Sequence, residues 1–102
     1  MQLKAGARLK STVCDAEVVV VRAPAGDVEL TCGGQPMVVL GEEFEPGKAP
    51  EPGKDEGILL GKRYTDAEGT IEVLCTKAGT GSLWLDGQPL KVKEAKPLPS
   101  SD

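Results

Sequence analysis

The chain has 102 residues, a formal net charge of −4 and no histidine. Its length is typical of one domain or two very small ones. Without a basic excess we expect no nucleic-acid binding through phosphate contacts. The lack of histidine removes the usual proton shuttle at neutral pH and the commonest metal ligand. We therefore predict that the protein is not a stand-alone enzyme and that it uses no cofactor.

The composition favours short strands and turns. The chain contains 13 glycines and 8 prolines but only three aromatic residues, so valine and leucine must supply most of the core. We predict an all-β protein. No apolar stretch is long enough to cross a membrane, and the N-terminal sequence MQLKAGARLK lacks the apolar region of a signal peptide. We expect no membrane partner, reduced cysteines and a cytoplasmic location.

The first half, residues 1–40, is predicted to be one β-repeat. Three strands separated by turns are expected, at residues 17–22, 28–32 and 37–40. The first, EVVVVR, is rich in β-branched side chains. In the second, Val28, Leu30 and Cys32 alternate with polar residues and share one face.

The middle segment, residues 41–57 (GEEFEPGKAPEPGKDEG), holds two lysines and six acidic residues and so carries the whole net charge. A segment so rich in proline, glycine and charge buries too little apolar surface to offset the entropy of ordering it. We predict a flexible acidic linker or loop.

The second half, residues 58–95, is predicted to be a second β-repeat. Strands are expected at residues 70–76, 82–85 and 90–93, and the Asp86-Gly87 pair between apolar runs is a strong hairpin signal. Residues 96–102 (KPLPSSD) are predicted to be a flexible tail.

The two halves match each other in sequence. Glu17-Val18 corresponds to Glu72-Val73, and the run Gly34-Gln35-Pro36-Met37 corresponds to Gly87-Gln88-Pro89-Leu90. The second half is two residues shorter, and the loss falls in a turn, where length changes are tolerated. We interpret the chain as small hairpin units duplicated in tandem, packed face to face or joined into one sheet. We interpret both Gly-Gln-Pro runs as turns rather than as a ligand site.

The first half resembles the desulforedoxin fold, which is also the N-terminal domain of desulfoferrodoxins. Ser11-Thr12-Val13-Cys14 stands where that family has C-x-x-C, and the run CGGQPM at residues 32–37 stands where it has C-C-G-x-x-M. The resemblance implies a small β-fold, dimerisation and one iron held by four thiolates. Here only Cys14 and Cys32 remain, because Ser11 and Gly33 occupy the other two places. The family's electron-transfer role is therefore not expected.

Two interpretations of Cys14 and Cys32 stay open. They are either two neighbouring core thiols, which we favour, or a remnant half-site completed by another chain or by an oxidant-driven disulfide. In the second half, Gly69 and Leu85 stand at the equivalent places. Cys75 aligns with a valine within a strand and is interpreted as a small buried hydrophobe.

Trp84 lies in a strand between two leucines and, by alternation, points away from both. If the leucines face the core, Trp84 is a candidate interface anchor, and burial in a two-layer core is the alternative. Glu17 and Glu72 make only a weak acid–base pair. The stretch Asp66-Ala67-Glu68-Gly69 is interpreted as a polar turn rather than a calcium loop.

We predict a non-catalytic accessory or interaction module that binds a protein partner or associates with itself, either as a subunit of an enzyme complex or as a homodimer. The alternative is a metal-binding or redox protein that uses Cys14 and Cys32 with ligands from elsewhere.

Overall fold

The computed structural model describes residues 2–45, 47 and 49–93, and these residues form short strands and no helix. The first half contains five strands: β1 Arg8–Lys10, β2 Glu17–Arg22, β3 Leu30–Cys32, β4 Gln35–Pro36 and β5 Val38–Val39. The second half contains five more: β6 Arg63–Thr65, β7 Glu72–Lys77, β8 Leu83–Leu85, β9 Gln88–Pro89 and β10 Lys91–Val92. The all-β prediction is confirmed.

The strands build two antiparallel sheets. The larger sheet has six strands in the order β10-β6-β7-β2-β1-β5, and the smaller has four in the order β4-β3-β8-β9. In each sheet the central pair joins the two halves, β2 with β7 and β3 with β8. The two halves therefore do not form separate sheets, because each sheet contains strands from both.

Local sequence explains the strands and the turns between them. Strand β2 is a run of β-branched valines that suits a half-buried pleated surface. The β3–β4 hairpin turns through Gly33 and Gly34, whose φ angles are 66° and 91°, and the β8–β9 hairpin turns through Asp86 and Gly87, at 47° and 82°. Two consecutive residues with positive φ make the two-residue turn that matches the twist of the flanking strands.

Each strand pairing within the first half recurs in the second half with the same register. Strands of the same rank have equal lengths, with an offset of 55 residues for β1 and β2 and of 53 for β3 to β5. Val19 faces Leu74 in the larger sheet, and Thr31 faces Trp84 in the smaller one. In both pairs the two residues are equivalent positions of the two halves. Pairing between equivalent positions is the pattern of an internal two-fold arrangement. This is what two copies of one unit would give, although the tandem duplication itself stays a prediction.

Both sheets contribute to one hydrophobic cluster. Its members are the buried alternate side chains of the strands and a few flanking residues: Leu3, Leu9, Ala16, Val18, Val20, Val28, Leu30, Cys32, Met37, Ile58, Tyr64, Ile71, Val73, Cys75, Leu83, Leu85 and Leu90. Burial of apolar area from both halves in one cluster is the dominant favourable term for a chain this small.

The connector, residues 41–57, lies against the body as far as it is described. The Gly47 N–H donates to Thr12 O at 2.6 Å, the Glu51 N–H to Gly33 O at 2.9 Å, and the Ser82 N–H to Lys54 O at 2.8 Å. It thus touches the loops of both halves. The predicted tail, residues 96–102, and the end of the second repeat lie outside the described residues. Within the described ranges, no helix is long and apolar enough to cross a membrane.

Candidate functional site: a thiol pair

Cys14 and Cys32 come together although 18 residues separate them in the chain. Cys14 lies in the loop between β1 and β2, and Cys32 ends β3 in the other sheet. Their Sγ atoms are 3.9 Å apart. Neither is in a disulfide. Cys32 is fully buried and Cys14 is half-buried, so Cys14 is the residue of the pair that a molecule in solution can approach.

Ser11 organises the loop that carries Cys14. The side chain is buried, and its Oγ accepts hydrogen bonds from the N–H groups of Val13 at 3.1 Å and Cys14 at 3.2 Å. Cys14 Sγ lies 3.3 Å from the same oxygen. The loop is further closed by the Ser11 N–H, which donates to Ala16 O at 2.9 Å. Ser11 therefore fixes both the turn and the position of the Cys14 sulfur. It has this structural role at the position where the resemblance would place a metal ligand.

The second half completes the site. The Gly81 N–H donates a hydrogen bond to Cys14 Sγ at 3.4 Å, and the Gly33 N–H, next to Cys32, donates to Ser82 O at 2.9 Å. Both contacts come from the loop between β7 and β8. The sulfurs therefore lie at a junction of the two halves, within reach of backbone donors from each.

The two thiols have opposite acidities. Burial acts to raise the pKa of Cys14, but its hydrogen bonds with Ser11 and with the backbone of Ala16 and Gly81 outweigh it, so this pKa is lowered. Burial, with the neighbouring Cys14 adding to it, raises the pKa of Cys32 to about 12. Cys14 is thus the thiol that ionises first, and Cys32 keeps its proton.

A small pocket leads to Cys14. Its volume is about 250 Å³, and its walls come from the β1–β2 loop and the connector: Lys10, Ser11, Thr12, Val13, Cys14, Asp15, Phe44 and Gly47. The pocket is smaller than a typical ligand site, so it has room for one arm of a small disulfide rather than for a whole drug-sized molecule.

The residues at this site do not fit a four-thiolate metal centre. Gly33 offers no donor atom, and no group of three or more His, Cys, Asp or Glu side chains able to hold a metal occurs in the described part of the chain. A tetrahedral site would need further donors from outside. Two thiols side by side can instead form a disulfide, for which the sulfurs must approach from 3.9 Å to ~2.05 Å.

Cys75 is buried in β7, and its thiol donates to Lys77 O at 3.2 Å. Burial raises its pKa. It has no access to solvent, which agrees with the interpretation of a small core residue.

Trp84 lies on the outward face of the smaller sheet. Its neighbours Leu83 and Leu85 are buried, whereas Trp84 is half-buried. Lys54 of the connector covers the ring, with its Nζ 4.8 Å from the ring centroid. The alternation of buried and exposed residues along the strand predicts this direction. The contact with Lys54 could not be predicted, because nothing in the sequence places the connector beside Trp84.

The acidic residues considered as catalytic or calcium-binding candidates have structural partners. Glu17 and Glu72 stand at opposite ends of the β2–β7 ladder, so they do not form an acid–base pair. Asp66 Oδ1 accepts the N–H groups of Thr70 at 2.7 Å and Ile71 at 3.4 Å, which closes a polar turn as predicted. The interpretation of the Gly-Gln-Pro runs as turns is wrong for their last two residues. Only Gly34 and Gly87 lie in the hairpin turns, and the Gln-Pro pairs that follow form strands β4 and β9.

Sequence reasoning missed the roles of Ser11 and of the loop containing Gly81. The motif comparison assigns Ser11 only the place of a lost ligand, although serine often caps a turn with its own hydroxyl. The pair Gly79 and Gly81 offered a signal, since two glycines that flank one residue suggest close approach of another group.

No protein-family model, curated protein or solved structure matches the chain. The resemblance to desulforedoxins therefore stays a prediction.

Proposed function

We propose that the protein is a small redox module that cycles between a Cys14–Cys32 dithiol and a Cys14–Cys32 disulfide. The observation that supports this most directly is the separation of 3.9 Å between the sulfurs of a half-buried and a fully buried cysteine. An accessible thiol with a lowered pKa suits the attacking role, and a buried neighbour suits the resolving role.

The proposed reaction is disulfide exchange with a small disulfide, R–S–S–R′. The Cys14 thiolate attacks one sulfur, which forms a Cys14–S–S–R mixed disulfide and releases R′S⁻. Cys32 then loses its proton and attacks Cys14 Sγ, which closes the Cys14–Cys32 bond and releases RS⁻. Both released thiolates take up the protons lost by the two cysteines. Two electrons pass from the protein to the substrate, and the same steps run backwards with a dithiol reductant.

The test is oxidation of the reduced protein with hydroxyethyl disulfide, followed by a thiol count in denaturant. The three thiols of the chain should fall to one, and peptide mapping should join Cys14 to Cys32. A Cys32→Ser variant should instead stop at a mixed disulfide on Cys14, because the resolving thiol is gone. A Cys75→Ser variant serves as the matched control and should form the same disulfide as the unmodified protein.

Persistence of the mixed disulfide in the unmodified protein would contradict the proposal, as would a disulfide that includes Cys75. Stoichiometric iron or zinc in the purified protein, lost in a Cys14→Ser variant, would favour the metal-binding alternative.

A non-catalytic interaction module is the second candidate, and the outward position of Trp84 favours it. Pro89 stands opposite Trp84, Trp84 opposite Thr31, and Thr31 opposite Pro36, so a row of two prolines, a threonine and the indole ring crosses that face of the smaller sheet. The partner would be another protein or a second copy of the chain. If light scattering and partner capture gave the same result for the unmodified protein and for Trp84→Ala, this candidate would be abandoned.

A further inference from the structure

The loop that joins β7 to β8, residues 78–82, approaches the thiol pair closely, and its two glycines have no room for a side chain. A Cβ atom on Gly79 would lie 2.8 Å from Cys14 Sγ, and one on Gly81 would lie 2.9 Å from Cys32 Sγ. Neither glycine has a positive φ. These positions therefore need glycine for space and not for backbone conformation.

The same loop is pinned from two further sides. Ile58 and Gly79 form an isolated antiparallel bridge, with hydrogen bonds of 3.0 and 3.3 Å. At the other end of the loop, Ser82 accepts the Gly33 N–H and donates its own N–H to Lys54 O. Gly81 is thus held between fixed neighbours, and its N–H points at Cys14 Sγ before any reaction begins.

The length of the loop differs from that of its counterpart. The first half joins β2 to β3 through seven residues, 23–29, whereas the second half joins β7 to β8 through five, 78–82. The longer loop lies at the opposite end of the two-fold arrangement, where it borders a cavity of about 810 Å³. Gly69 and Leu85 stand there in place of the two cysteines. The shortened loop therefore occurs at the end that carries the thiols.

We propose that Gly81 is a positioning residue for disulfide exchange, whose N–H holds the Cys14 sulfur in the charged and oriented state that attacks a disulfide. This inference rests on the function proposed above. A hydrogen bond from a backbone N–H to an anionic sulfur is charge-assisted and favours the thiolate. Because the donor is already in place, no reorganisation is needed when the charge develops.

The experiment measures the rate of Cys14 alkylation by iodoacetamide across a pH series, with Cys14 followed by peptide mass spectrometry. In Gly81→Ala the added Cβ, 2.9 Å from Cys32 Sγ, should push the loop and its N–H away from Cys14, so the midpoint of the profile should move upward and less thiolate should react below it. The matched control is Thr80→Ala, an exposed residue of the same loop, whose profile should equal that of the unmodified protein.

A second variant keeps the test decisive if Gly81→Ala does not fold. Insertion of two glycines after Thr80 restores the seven-residue length of the other loop and is designed to move the Gly81 N–H away from Cys14 without adding any Cβ. It should give the same upward movement. A folded variant of either kind with an unmoved profile would overturn the inference.

The two proposals can fail separately. Alkylation of Cys14 requires no disulfide, so the pH profile reports on Gly81 even in a protein that forms none. Failure to form the Cys14–Cys32 bond would overturn the redox function, and an unmoved profile would overturn only the role of Gly81.

Discussion

Glu72 is the only charged side chain that is buried among the described residues. Its Oε1 accepts a hydrogen bond from Lys93 Nζ at 2.6 Å, and its Oε2 lies 3.4 Å from Arg63 Nη1. The hydrogen bond from Lys93 is the main reason that the pKa of Glu72 is lowered. A carboxylate placed in this way ties the last described residue to β6 and β7.

Replacement of Glu72 by glutamine should lower the free energy of unfolding at neutral pH by about 1 kcal/mol. Because the folded-state pKa is lowered, the carboxylate stabilises the protein above its unfolded-state pKa of ~4.3, and this contribution is lost as the pH falls through the folded-state pKa. Urea titrations at neutral and acidic pH should therefore show the difference between the two proteins shrinking in acid.

Glu17→Gln is the matched control for this prediction. Glu17 stands at the equivalent position of β2, is more exposed, and has its Oε2 3.8 Å from Lys77 Nζ. Exposed pairs of this kind contribute little, so its effect should be clearly smaller. An equal loss of stability from both substitutions would mean that the buried hydrogen bond has no special role.

The connector links the thiol loops to Trp84. Its backbone contacts Thr12 near one cysteine and Gly33 beside the other, and a few residues later Lys54 covers the indole ring. A cation over an exposed aromatic face contributes ~0.5–1 kcal/mol. The ring is therefore shielded by a contact that is weak enough to exchange with solvent.

Removal of this contact should be visible in the fluorescence of Trp84, the only tryptophan of the chain. We expect Lys54→Ala to increase quenching by acrylamide, because the ring gains exposed surface. Lys62→Ala, an exposed lysine in a different turn, should leave the quenching constant unchanged. Equal quenching in all three proteins would show that Lys54 does not cover the ring in solution.

Element prediction succeeded where a strand carries its own pattern. The bounds of β2 follow from the valine run, and the buried faces of β3 and β8 follow from alternation. Strands β1 and β6 were missed because each has three residues and a single buried side chain, Leu9 or Tyr64, which is too short a signal for any periodicity. The aligned motifs suggested that Cys14 and Cys32 are neighbours, but the half-exposed position of Cys14 could not be predicted, since it depends on how the two sheets meet.

At the scale of the whole molecule, the two halves are held together because each sheet contains strands from both. Alternation along a strand specifies which face is buried but not which strand pairs with it. The sequence repeat therefore predicted two units, whereas the structure joins them through β2 with β7 and β3 with β8. Each half alone would leave two strand edges unpaired, those of β2 and β3 in the first half and those of β7 and β8 in the second.

Neither half should fold as a monomer. Separate peptides covering residues 1–40 and 58–102 each lack the strand that pairs with their central edge, so each leaves unpaired backbone groups and half of the hydrophobic cluster exposed. We expect little strand signal in circular dichroism from either peptide when dilute, and recovery of the signal in a one-to-one complex when they are mixed. As a control, the intact protein cut within residues 41–45 by an inserted protease site should stay associated in light scattering. A half that is folded and monomeric by the same measurement would show that the shared sheets are not required for folding.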